Sequence, residues 1–121
     1  MPQPSQVLVV DDDAETLELL RYIISKEGYQ VETAANAEEA LARISQVQPD
    51  VVITDLNMPG MDGLALLGEI RTRLPETLVI LLTAYGSLKT TVDGIKAGAF
   101  DYLGKPFVVD EIRLVVRRAL E

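Results

Sequence analysis

Short apolar runs rich in β-branched residues alternate along the chain with longer segments in which apolar residues recur at helical spacing. The runs are Val7-Leu8-Val9-Val10, Gln30-Val31-Glu32-Thr33-Ala34, Val51-Val52-Ile53-Thr54, Leu78-Val79-Ile80-Leu81-Leu82 and Asp101-Tyr102-Leu103-Gly104. The first, third and fourth are continuously apolar, as suits central strands covered on both faces, whereas the second alternates like a strand nearer an edge. Five helices are predicted after them. The first carries Leu17, Leu20, Ile23 and Ile24 on one face and stops at Gly28, a residue suited to the left-handed turn that ends a helix. The second carries Ala37, Ala40, Leu41, Ile44 and Val47, with Asn36 as N-cap and Glu39 three residues on. The third runs through Leu64, Leu67 and Ile70 and ends before Pro75. The fourth carries Leu88, Val92 and Ile95 and ends at Gly98, and the fifth carries Ile112, Val115, Val116 and Ala119. This alternation predicts an α/β fold with a doubly wound parallel sheet. Strand order does not follow from it.

Composition narrows the function. The 121 residues predict a single domain over 1–121, with residues 1–6 as a short flexible start. There is no Cys and no His, which excludes disulfides, thiolate or imidazole metal sites, Ser-His-Asp triads and phosphohistidine chemistry on this chain. Carboxylates, hydroxyls and lysines remain. A net charge of −8, from 19 acidic against 11 basic residues, disfavours direct binding to nucleic acid or to an anionic membrane surface. With neither a secretory signal nor an apolar stretch of about 20 residues, a cytoplasmic location is expected.

The informative polar residues are those that interrupt the pattern at strand ends. Strand one runs into Asp11-Asp12-Asp13, strand three into Asp55, strand four into Thr83 and strand five into Lys105-Pro106. Each has a plain explanation on its own. The acidic triplet suits a helix N-terminus, Asp55 a turn before Pro59-Gly60, Thr83 a strand end and Lys105 a solvated surface. Together they lie at the carboxyl rim of a parallel sheet, where ligands bind. Two carboxylates about 4 Å apart repel by roughly 4 kcal/mol at an effective dielectric near 20, so such a cluster asks for a cation. Oxygen donors alone point to a hard ion, and so few of them favour Mg²⁺ with retained waters. A lysine and a threonine beside the ion are what an incoming phosphoryl group requires. Two decoys fail: Asp55-Leu56-Asn57-Met58-Pro59-Gly60 begins like a calcium loop but has Pro59 at position five and Leu66 at position twelve, and Gly86-Ser87-Leu88-Lys89-Thr90 lacks phosphate-loop spacing.

From Val7 to Leu120 the chain resembles the receiver domain of two-component response regulators. The resemblance rests on Val9-Val10-Asp11-Asp12-Asp13, on Thr54-Asp55-Leu56-Asn57-Met58-Pro59-Gly60-Met61-Asp62-Gly63, on Thr83-Ala84 and on Lys96 to Phe107. It looks most like receivers of sigma-54-dependent transcription activators. The resemblance implies a flavodoxin-like (βα)5 sheet of order 2-1-3-4-5. It further implies Asp55 as phosphoacceptor, with Asp12 and Asp55 on Mg²⁺ (Mn²⁺ as substitute), the Asn57 backbone carbonyl as a further ligand and Asp11 acting through water. Lys105 would pair with the phosphoryl group, its bond to Pro106 would be cis, and Thr83 and Tyr102 would be switch residues. Asn57 and Tyr85 would influence phosphoryl lifetime. The implied partners are a sensor histidine kinase or phosphotransfer protein and an output domain or partner protein. A homodimer through the fourth helix, fifth strand and fifth helix is a further expectation, with Arg113, Arg117 and Arg118 pairing to Asp93 or Asp101 of a second copy. The implied role is that of a phosphoacceptor signalling domain, not an enzyme of turnover. Two other readings stay open: an interaction module that needs no phosphorylation, and an aspartyl-phosphate phosphatase acting on small molecules.

Overall fold

A computed structural model describes residues 5–58, 60–84 and 88–121. The Met1–Pro4 start and Pro59, Tyr85, Gly86 and Ser87, all singled out in the sequence, lie outside the described residues. Strand and helix alternate as β1 (Gln6–Val10), α1 (Ala14–Lys26), β2 (Gln30–Ala34), α2 (Ala37–Gln46), β3 (Val51–Asp55), α3 (Gly63–Arg73), β4 (Leu78–Thr83), α4 (Leu88–Lys96), β5 (Asp101–Gly104) and α5 (Val109–Leu120). All pairings are parallel, and the sheet order is β2-β1-β3-β4-β5. This is the flavodoxin-like doubly wound architecture, and the alternating run forms an edge strand.

Side chains alternate across a strand, so each central strand feeds two cores. Leu8, Val10, Val52, Val79 and Leu81 pack with α2 and α3 through Ala40, Ile44, Leu66, Leu67 and Ile70. Val7, Val9, Ile53, Ile80 and Leu82 pack on the opposite face with Leu20, Ile23 and Ile24 of α1 and with Ile112, Val115 and Val116 of α5. The helix ends follow local chemistry. Asp13, Asn36 and Asp62 accept backbone N–H groups at the starts of α1, α2 and α3. Gly28 and Gly98, just beyond α1 and α4, hold positive φ of 96° and 112°.

Two parts of the helical pattern are not buried. Val47 is the C-cap of α2, not part of its inward face, and is 43% exposed. The apolar stripe of α4 is not core either: Leu88, Val92 and Ile95 are exposed, while the buried residues of that helix are Thr91 and Gly94. The reason is close approach. A Cβ on Gly94 would lie 2.3 Å from Leu81 Cδ1, so α4 meets β4 through its smallest residue and its aliphatic residues face outward.

Candidate functional site: a carboxylate cluster at the sheet's carboxyl rim

Backbone register brings the polar strand ends level. Val10 pairs with Thr54, so Asp11 and Asp55 are neighbours at the ends of β1 and β3. Asp55 pairs with Leu82, which sets Thr83 one step beyond it, and Thr83 pairs with Gly104, which sets Lys105 one step further. Backbone bonds extend the ladders into the loops. Asp11 N–H donates to Ala34 O at 3.1 Å, Leu56 N–H to Leu82 O at 3.2 Å, and Lys105 N–H to Thr83 O at 2.8 Å. Asp55 and Thr83 are thus the last residues of strands, not the first of loops, which makes both rigid and nearly buried. The Lys105–Pro106 peptide bond is cis.

Carboxylate oxygens of Asp11, Asp12 and Asp55 lie within 4.8 Å of one another. At that separation each like-charge pair costs roughly 3.5 kcal/mol at an effective dielectric of about 20. One ammonium offsets it. Lys105 Nζ donates to Asp11 Oδ2 at 3.0 Å and lies 3.4 Å from Asp55 Oδ2. Asp13 N–H donates to Asp11 Oδ1 at 2.9 Å, and Asn57 N–H to Asp55 Oδ1 at 3.3 Å. Burial raises the Asp11 pKa; the Asp13 N–H and Lys105 oppose this and the Asp55 charge adds to it, so the balance is upward. For Lys105, burial favours the neutral amine. The hydrogen bond to Asp11 and the charges of Asp11 and Asp55 outweigh burial, so its pKa is raised. Three negative charges facing one positive leave the cluster under-neutralised, and every donor is a hard oxygen. The residues therefore fit a divalent cation of the Mg²⁺ type.

Thr83 and Tyr102 line one groove with Leu88, Val92 and Ile95 of α4. The Tyr102 ring is half exposed on β5. Two of the three α5 arginines singled out in the sequence pair within the chain. Arg113 and Arg117 reach Glu27 at the end of α1 at 3.6 and 3.4 Å, and Arg118 alone has no ion pair among the described residues.

Two supporting residues had no role assigned from the sequence, although Gly63 closes the Thr54–Gly63 motif. Gly63 begins α3 where a Cβ would sit 2.3 Å from the Asp55 carbonyl oxygen, so only glycine lets α3 start this close to the end of β3. Its place in the motif was visible in the sequence, but the reason for a glycine there lies in the tertiary contact. Thr16, buried on α1, donates its hydroxyl to Asp13 Oδ2 at 2.7 Å, and that bond depresses the Asp13 pKa. Here a signal existed, since Asp-x-x-Thr at the start of an apolar-periodic run is a capping pattern.

Residues 7–117 match the family model described as "Response regulator receiver domain". The chain belongs to that family. Among curated relatives, Regulatory protein AtoC of Escherichia coli (strain K12) is 40% identical over 117 residues, covering 97% of this chain and 25% of its own length. DNA-binding transcriptional regulator NtrC of Salmonella typhimurium is 44% identical over 114 residues, covering 94% of this chain and 24% of its own. This receiver spans about a quarter of the length of those relatives. The crystal structure of the receiver domain of NtrX from Brucella abortus superposes with a TM-score of 0.91 at 41% identity, covering 94% of this chain and 97% of that one. The kinship is thus with NtrC- and NtrX-type sigma-54 activator receivers, and the chain is a two-component signalling module of the phosphorelay type. Its acidic cluster is consistent with a receiver phosphorylation site and is able to coordinate a divalent cation. Among the described residues no helix is long and apolar enough to cross a membrane.

Proposed function

We propose that this receiver, acting as one domain over residues 1–121, is a cytosolic phosphoacceptor switch. In this reading Asp55 takes a phosphoryl group from a phosphohistidine on a sensor histidine kinase or phosphotransfer protein. The observation that supports it is the position of the Asp55 carboxylate, on the last residue of a central strand, beside two further carboxylates and 3.4 Å from the Lys105 ammonium. An Asp55 oxygen forms the new O–P bond as the P–N bond to the donor imidazole breaks. The imidazole nitrogen leaves with the electron pair and takes up a proton. Asp11, Asp12, Asp55 and the Asn57 backbone carbonyl would hold Mg²⁺, or Mn²⁺ in its place, which supplies neutralisation of charge on the transferring group. Lys105 moves its contact from the Asp55 carboxylate to a phosphoryl oxygen, and the Thr83 hydroxyl donates to another.

The acyl phosphate then carries a charge of nearly −2 where a single carboxylate stood. Thr83 following the phosphoryl group vacates space in the groove it shares with Tyr102, whose half-exposed ring is free to enter. The surface of α4, β5 and α5 thereby exists in two forms, to be read by an output domain or partner protein, as in control of transcription, or by a second copy of the chain. The test is intact mass after incubation with acetyl phosphate and Mg²⁺. The native chain should gain one phosphoryl group; Asp55→Asn and a metal-free control should gain none. An unmodified native chain under rapid quench favours a phosphorylation-independent module, and steady release of phosphate from small monoesters favours a phosphatase.

A further inference from the structure

Asp12 is the exposed member of the carboxylate cluster, and among the described residues nothing holds its side chain. Its position depends on the residues either side. Asp11 is held through both oxygens, by Lys105 and by the N–H of Asp13. Asp13 is held in turn through its own carboxylate, which accepts from Thr16 Oγ1 at 2.7 Å and from Glu15 N–H at 3.3 Å. Asp13 has the extended N-cap conformation, with φ −91° and ψ 112°, and its N–H points at Asp11. The Thr16 hydroxyl that maintains this conformation is on a buried residue, so packing of α1 limits where it points.

We infer that Thr16 and Asp13 are positioning residues for the cation site: the Thr16 hydroxyl clasps Asp13, and Asp13 holds Asp11 and, through the backbone, Asp12 in the arrangement that receives the ion. The inference rests on the reading that Asp11, Asp12 and Asp55 hold Mg²⁺. Without the clasp the 11–13 segment gains conformations that binding must suppress, and affinity falls although every ligand is present.

The experiment is calorimetric titration of the folded receiver with Mg²⁺, beside thermal melts. Thr16→Val keeps shape and all carboxylates while removing the hydroxyl, and should raise the Mg²⁺ dissociation constant about tenfold, the lower end of what losing a group that supports metal ligands costs. Thr16→Ala, favoured in a helix, carries the same expectation should the valine variant fold poorly. Thr16→Ser should restore native affinity. Thr77→Val is the matched control, since Thr77 is equally buried and donates to Pro49 O at 2.7 Å at the opposite end of the sheet. It should lower Tm and leave Mg²⁺ affinity unchanged. Native affinity in Thr16→Val and Thr16→Ala, or equal losses in Thr16→Val and Thr77→Val, overturns the inference while the site reading stands. A native chain that takes up no Mg²⁺ overturns the site reading itself.

Discussion

Lys105 has two opposed effects at the residue scale. Among the described residues it is the one cation within reach of Asp11 and Asp55, so it lowers the cost of burying them, yet it occupies space and charge that a divalent ion needs. Lys105→Met separates the two. With the ammonium gone, the folded-state pKa of Asp11 moves further above the ordinary aspartate value of about 3.9. A carboxyl with a raised folded pKa stabilises the fold fully below its unfolded pKa, and that contribution is lost as pH rises through the folded value. The variant should therefore melt below native at pH 7 and approach native near pH 4 in metal-free buffer, while its Mg²⁺ affinity rises. A fall in affinity would make Lys105 an organiser of the site instead of a competitor for it.

At the element scale the site depends on α3 starting directly against the end of β3. Gly63 allows this, its N–H donating to Leu56 O at 3.1 Å while its α-carbon lies against the Asp55 carbonyl. Gly63→Ala places a Cβ 2.3 Å from backbone oxygen, and neither a strand in mid-sheet nor a capped helix yields cheaply. Overpacking of this kind costs about 1–3 kcal/mol. We expect a lower Tm together with slower phosphorylation of Asp55, measured by intact mass. Loss of stability at native phosphorylation rate would show that β3 holds Asp55 without help from α3. The elements themselves were legible because strand runs and helix stripes differ in period, and all ten fall where the pattern puts them. Their ends were less so. Asp55 reads as a turn residue from polarity, but ladder pairing with Leu82 keeps it within its strand, while Thr83, read as a strand end, is held there by pairing with Gly104.

At the scale of the whole molecule, cation binding and folding are linked. An ion that binds only the folded state stabilises it by RT ln(1 + [L]/Kd), about 2.7 kcal/mol at 100 times Kd. Asp11, its folded pKa raised chiefly by burial, must be ionised to assist. In metal-free protein the contribution from protonated Asp11 is present below about pH 3.9 and is lost as pH rises through its folded value, so the cluster is least content near neutrality. Mg²⁺ should therefore raise Tm strongly at pH 7 and progressively less as pH falls through the raised pKa of Asp11. Melts with and without Mg²⁺ across this range measure it, and a rise in Tm independent of pH would place the ion elsewhere. Deletion of the carboxylate in Asp12→Ala should remove the pH 7 effect.

The period of hydrophobicity, the residue types at the strand ends and the absence of Cys and His were enough to determine a doubly wound α/β fold with oxygen-donor chemistry at one rim, because these depend on side-chain alternation and elementary donor preferences. Which strands lie adjacent, and hence that Asp11, Asp12, Asp55 and Lys105 meet with Thr83 at the next strand end, was decided by the tertiary structure, since register is a property of paired strands. The same holds for α4. Its apolar stripe reads as core in one dimension, yet the close approach of Gly94 to Leu81 turns it outward, because only packing against a particular neighbour settles which side of a helix is buried.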